Sequence, residues 1–122
     1  MRRLILIIAI CTGVLWSGPV GADEAFASAL AAYKRGDYAE AATWFRKAAD
    51  QGHLSAQFSL GIMYEKGWGV PHAYVQAHKW YNLAAAQGND TARKSRDRVA
   101  EKMTPAMVQE AQKLAREWRP KK

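Results

Sequence analysis

The chain repeats itself at an interval of 36 residues, and this repeat constrains its fold more than any other feature. When residues 37–56 are aligned with residues 73–92, eight of the twenty positions are identical. The identical pairs are Tyr38/Tyr74, Ala41/Ala77, Trp44/Trp80, Ala48/Ala84, Ala49/Ala85, Gln51/Gln87, Gly52/Gly88 and Ala56/Ala92. Self-similarity at such a period is typical of proteins that stack one supersecondary unit.

The spacing within each repeat predicts a helix. Apolar residues recur every three or four positions over 38–49 and again over 74–85, which places them on one helix face. Gly52 and Gly88 follow these segments, and glycine readily adopts the left-handed backbone conformation that ends a helix. We therefore expect two equivalent helices whose core includes Trp44, Phe45, Trp80 and Tyr81.

Four further segments have a helical pattern, and together with the repeated pair they predict an all-α fold without strands. They span residues 24–35, 54–66, 90–103 and 104–119. The first carries Phe26, Leu30 and Tyr33 at helical spacing, and the last begins with Thr104 and Pro105, residues favoured at a helix N-cap and first position. Pairing neighbours gives three predicted hairpins, at about 24–51, 54–87 and 90–119, stacked as a solenoid.

The pattern resembles the Sel1-like repeat (SLR), a relative of the tetratricopeptide repeat. The matching residues are Ala56, Leu60, Gly61, Tyr64, Gly67, Gly69, Val70, Ala77, Trp80, Tyr81, Ala84, Ala85 and Gly88. The resemblance implies a right-handed α-solenoid that acts as a non-catalytic adaptor and holds a protein partner in its concave groove. The tail, residues 103–120, resembles the ending of small exported bacterial members.

The amino-terminal segment predicts export. Arg2 and Arg3 precede an apolar stretch over residues 4–16, and small residues follow Pro19, so residues 1–22 have the order of a signal peptide cleaved between Ala22 and Asp23. The alternative is an uncleaved anchor formed by residues 4–16, but a membrane-spanning helix needs about 20 apolar residues. The sequence favours a periplasmic protein of a Gram-negative cell.

Basic residues concentrate in the last third of the chain. Residues 90–122 contain 10 basic and 5 acidic residues, whereas residues 23–89 contain 6 of each. Arg93, Arg96 and Arg98 are therefore candidate contacts for an anionic envelope polymer or membrane surface. The competing interpretation is a solvated polar cap at the end of the stack.

No residue pattern indicates catalysis, a metal or a cofactor. His53, His72 and His78 lack the spacing of a metal site, and Glu40 and Glu65 have no evident partner. The glycine-rich turn at residues 67–69 lacks the lysine of a phosphate loop. We expect a monomer that does not bind nucleic acid.

Candidate partner-binding residues lie on the middle hairpin. The helices that open each hairpin face the groove in related solenoids, so Gln57, Ile62, Met63 and Lys66 are candidates, although Ile62 and Met63 suit a contact with the neighbouring hairpin equally well. Trp68 occupies a variable loop position, where it either contacts a partner or packs over the edge of the repeat.

Overall fold

A computed structural model describes residues 20–121, and all regular structure in this range is helical. The helices are α1 (Ala22–Lys34), α2 (Tyr38–Asp50), α3 (Leu54–Lys66), α4 (Tyr74–Ala86), α5 (Asp90–Ala100) and α6 (Pro105–Glu117). The prediction of an all-α fold with six helices is confirmed. Most of the predicted signal peptide, residues 1–19, lies outside the described range. Within that range, no helix has both the length and the hydropathy required to cross a membrane.

The helix boundaries follow from capping residues that the repeat places in equivalent positions. Gly52 and Gly88 have φ angles of 92° and 100°, as expected for glycines that end α2 and α4. His53 and Asn89 then cap α3 and α5, because each side chain accepts a hydrogen bond from the backbone amide three residues further on. His53 therefore serves as a polar residue at a helix start.

Small residues allow the helices to approach closely. A Cβ atom added at Gly61 of α3 would lie 2.6 Å from Cδ1 of Tyr81 on α4, so the glycine leaves the space that this fully buried ring occupies. The residues of α1 that are fully buried are likewise small, namely Ala25, Ala29 and Ala32.

The larger residues of α1 are less buried than their spacing suggested. Leu30 and Tyr33 are each 37% exposed, and Phe26 is half-buried. The reason is that α1 meets α2 through its alanine face, which brings the two backbones together and leaves the adjacent face, with Leu30 and Tyr33, at the surface.

The last helix does not form the hairpin that was predicted for residues 90–119. Both α5 and α6 make their main contacts with α4 rather than with each other. α5 offers α4 only a narrow buried face, Ala92, Ser95 and Val99, whereas α6 ends with Trp118 edge-on to Trp80, at a centroid distance of 6.5 Å. The carboxyl-terminal helix therefore covers α4 as a terminal cap.

Candidate functional site

A hollow of about 140 Å³ opens between α1 and α3, on the side of the solenoid predicted to form the groove. Its lining residues are Leu30 and Tyr33 of α1, Phe45 of α2, Ser59, Ile62 and Met63 of α3, and Trp68 of the following loop. All are apolar or aromatic except Ser59. The hollow is therefore suited to an apolar side chain rather than to a charged ligand.

Three exposed aromatic residues lie together at the edge of the hollow, and two of them also line it. Tyr33, Tyr38 and Trp68 are 37%, 39% and 38% exposed. Tyr38 lies between the other two, with its ring centroid 5.1 Å from that of Tyr33 and 5.9 Å from that of Trp68. We call these residues the aromatic edge. Contiguous exposed apolar surface of this kind commonly marks an interaction site.

The α3–α4 loop fixes the position of Trp68. Gly67 ends α3 with a φ angle of 73°, and Gly69 follows Trp68 with a φ angle of 75°. A Cβ atom at Gly69 would collide with the backbone of Tyr38, so the loop lies directly on the start of α2. This contact holds the indole against the Tyr38 ring, where it remains partly open to solvent. Trp68 thus packs over the edge of the repeat and is also accessible, and its contact with a partner stays a prediction.

The candidate residues of α3 fall into different environments. Ile62 and Met63 line the hollow, with Met63 only 1% exposed and therefore at its base. Lys66 is exposed at the end of the helix. Gln57 was expected in the groove, but it is fully buried. Its amide donates to the Ala49 carbonyl at 3.3 Å and accepts from Gln87 at 2.8 Å, so a structural role replaces the predicted binding role.

Glu65, for which the sequence showed no partner, lies at the centre of a network that joins three helices. Its carboxylate accepts hydrogen bonds from the Arg98 guanidinium at 2.7 and 2.8 Å and from the Tyr81 hydroxyl at 2.7 Å. Burial raises the pKa of Glu65, but the hydrogen bonds from Arg98 and Tyr81 outweigh it and lower the pKa below its ordinary value. The network ties α3 and α4 to α5.

The other carboxylate discussed above, Glu40, also has a partner. It accepts a hydrogen bond from Arg35 at 3.1 Å, and both side chains are largely exposed. Such surface pairs contribute little to stability, and nothing in this geometry resembles a pair of catalytic carboxylates.

The arginines of α5 are engaged within the protein. Arg93 lies 2.8 Å from Asp90, Arg96 lies 3.0 Å from Asp97, and Arg98 holds Glu65. Much of the positive charge that suggested an anionic partner for this helix is therefore balanced by neighbouring carboxylates.

The three histidines have different structural environments. His53 caps α3, His72 is exposed beside Tyr74, and His78 is buried. Burial lowers the pKa of His78, and the charge of Arg96 lowers it further. Within residues 20–121, no group of three or more His, Cys, Asp or Glu side chains is placed to hold a metal ion.

Comparisons with known proteins agree with this architecture. Residues 29–53 and 54–89, half of the chain, match the Sel1 repeat. The chain is 43% identical over 56 residues to the DAP3-binding cell death enhancer 1 of Rattus norvegicus, covering 46% of this chain and 11% of that protein. It is 38% identical over 72 residues to an exopolysaccharide production negative regulator of Rhizobium leguminosarum, covering 59% of this chain and 26% of that protein.

A solved structure shares the fold. It is a protective antigen present in uropathogenic Escherichia coli strains and displays an SLR fold, with a TM-score of 0.73, 32% identity, and coverage of 80% of this chain and 22% of that one. The chain thus spans about a quarter or less of the length of these proteins. Sel1 repeats are generally protein-interaction or regulatory modules and typically form non-catalytic scaffolds. The sequence match and the shared fold together show that the chain belongs to the Sel1 repeat family.

Proposed function

We propose that this protein is an adaptor of the cell envelope that binds a segment of another protein in the groove between α1 and α3. The observation that carries the proposal is the apolar hollow beside the aromatic edge. Leu30, Tyr33 and Trp68 contribute to the hollow and are each more than a third exposed. Covering these side chains on binding would remove apolar surface from water, which is the main driving force for protein association.

The shape of the site favours one anchoring side chain. The hollow is small and closed at its base by Met63, so it suits a single large apolar residue of the partner, with the aromatic edge covering the adjoining chain. Buried aromatic and aliphatic anchors commonly carry most of the binding free energy at such interfaces. Names of relatives support a regulatory role through binding, since one is a DAP3-binding protein and another a regulator of exopolysaccharide production.

Export to the periplasm is part of the proposal and depends on residues 1–22. Their charged start, apolar stretch and small residues before Asp23 have the pattern of a signal peptide. Mass spectrometry of the protein from the periplasmic fraction tests this point directly, with Asp23 as the expected first residue. An intact amino terminus on a membrane-bound protein would support the anchor instead.

The groove is tested by site-directed photocrosslinking in cells. A photoreactive residue at Lys66, on the rim, is expected to capture a discrete protein that stays associated at raised salt, whereas the same residue at Lys113 on α6 is not. Leu30→Ala and Trp68→Ala should each abolish the capture, while Gln112→Ala, an exposed change on α6, should leave it intact. Circular dichroism checks that each variant folds. Capture that survives both groove substitutions would contradict the proposal.

A further inference from the structure

A second surface of the protein, distinct from the groove, carries positive charge without matching negative charge. It consists of Arg46 and Lys47 of α2, Lys79 of α4 and Lys121, which follows α6, and we call it the cationic face. In residues 20–121, Asp50 is the acid closest to this set, and it pairs with Lys121 at 3.6 Å. Arg46, Lys47 and Lys79 have no carboxylate of the described chain within 4.0 Å.

Two of these cations are partly buried, and aromatic rings provide their contacts. The Arg46 guanidinium carbon lies 5.7 Å from the ring centroid of Tyr64 and 5.9 Å from that of Trp80, and the Lys79 ammonium lies 4.4 Å from Trp80. Arg46 also donates a hydrogen bond to the Tyr64 hydroxyl, but its Nε atom is buried without a partner. Cation–π contacts offset only part of the free energy needed to remove a charge from water.

The cations also repel one another. Burial lowers the pKa of Lys79, and the charge of Arg46 lowers it further; Asp50 opposes this with a smaller effect than that of Arg46, and Lys121 adds a still smaller lowering effect. A folded protein rarely keeps half-buried cations together without an acid, because the arrangement reduces stability. An anionic ligand on this face would remove that repulsion.

We propose that the cationic face binds an acidic peptide segment of a partner protein through carboxylates spaced along the chain. Two open depressions, of about 350 and 310 Å³, lie side by side here and share Lys47 as a lining residue. Arg46, Lys47 and Lys121 are distributed over the two depressions rather than directed at one point, and Lys79 lies outside both linings. Several single charges therefore fit the surface better than one dianion.

Other anionic ligands fit this surface less well. Phosphate groups favour helix amino termini, where backbone amides converge, but Arg46 and Lys47 lie near the carboxyl end of α2. A sugar ring needs an open aromatic face, whereas Trp80 is 1% exposed and Lys47 lies 4.9 Å over the Trp44 ring. A flat bilayer reaches the exposed Lys47 and Lys121 but not Arg46 and Lys79, which are half-buried between helices. An extended acidic peptide fits both kinds of position.

This site is separate from the proposed groove. Phe45 of α2 lines the hollow, and the next two residues of the same helix belong to the cationic face. Substitutions at Leu30 or Trp68 should therefore leave acidic-peptide binding unchanged, so that the two proposals succeed or fail independently.

The test is fluorescence anisotropy of a labelled peptide of alternating Glu and Asp residues with the purified protein at low ionic strength. Lys47→Met combined with Lys79→Met is expected to weaken binding about tenfold, which corresponds to two partly exposed charge pairs. Lys102→Met combined with Lys113→Met removes the same charge elsewhere and should change affinity less than about twofold. Arg46→Met should also weaken binding, with circular dichroism as the check on its fold.

Competition experiments distinguish the ligand classes. Inorganic pyrophosphate, polygalacturonate and phosphatidylglycerol vesicles are each tested at equal charge concentration against the labelled peptide. The proposal predicts that none displaces it as well as the unlabelled peptide. An equal loss of affinity in both double variants would show a general charge effect and overturn the proposal. Stronger binding of any of the three competitors than of the peptide at this face would also overturn it.

Discussion

Replacing Gly61 with alanine has two opposing effects on stability, a gain from helix propensity and a loss from packing. Alanine is favoured over glycine inside a helix by about 1 kcal/mol, so propensity alone predicts that Gly61→Ala stabilises α3. The new methyl group would lie 2.6 and 2.7 Å from Cδ1 and Cε1 of Tyr81, whereas carbon atoms normally stay about 3.5–4.0 Å apart. The ring would have to move by about 1 Å to restore that separation.

The surroundings of Tyr81 oppose such a movement. The side chain is fully buried, and its hydroxyl donates a 2.7 Å hydrogen bond to Glu65. Inserting a methyl group into a packed core costs about 1–3 kcal/mol. Because the ring is held at both ends, we expect a cost in the upper part of this range, and subtracting the gain in propensity leaves a net destabilisation of about 1–2 kcal/mol.

Thermal and urea unfolding followed by circular dichroism measure this difference. For a domain of this size, a loss of 1 kcal/mol lowers Tm by about 4–8 °C. Ser55→Ala, an exposed change in the same helix, serves as the control for propensity and should raise Tm slightly. In a Tyr81→Leu background, Gly61→Ala should lose most of its cost. A Tm for Gly61→Ala that equals or exceeds the wild-type value would refute the argument.

Two further predictions concern the contacts that join the helices. The hydrogen bonds from Arg98 and Tyr81 lower the pKa of Glu65 below its ordinary value, against the effect of burial. The stability that ionised Glu65 contributes is therefore complete above its unfolded-state pKa and is lost as the pH falls through the folded-state pKa. Glu65→Gln should therefore lower the free energy of unfolding by about 1–2 kcal/mol at neutral pH. In urea titrations this difference from wild type should shrink as the pH is lowered. A difference that stays constant with pH would exclude the charge effect. Asn89 accepts a 2.7 Å hydrogen bond from the Ala92 amide, so Asn89→Ala should lower the free energy of unfolding by about 1 kcal/mol, with Asn89→Ser close to wild type in the same measurement.

The helices were predictable because their signals are local. The 36-residue repeat, the three-and-four spacing and the glycines at positions 52 and 88 lie within short segments, and α3 spans the residues that were predicted for it. A glycine inside an apolar helix face, such as Gly61, is also a local feature, and it commonly marks a close approach of two helices.

Side-chain environments were harder to predict because they depend on distant partners. Gln57 is polar and lies beside groove positions, but it is buried because Gln87, thirty residues away, supplies its hydrogen bond. The exposure of Leu30 and Tyr33 depends on α1 packing through its alanines. Nothing local indicates that α6 contacts α4 rather than α5. The cationic face was missed for the same reason, since Arg46 and Lys79 lie 33 positions apart.

The two proposed sites share structural supports, which would fix the distance between two segments bound to them. α2 contributes Phe45 to the hollow and Arg46 to the cationic face. The α3–α4 loop contributes Trp68 to the hollow and Gly69 to the depression beside Arg46. Only one helix, about 10–12 Å across with its side chains, therefore separates the two surfaces. A segment in the groove and an acidic segment on the other side would be held at this distance by a rigid element, because α2 is fixed by alanine contacts on α1 and by the loop on its first turn. Such an arrangement lets one short repeat domain position two segments relative to each other without any hinge.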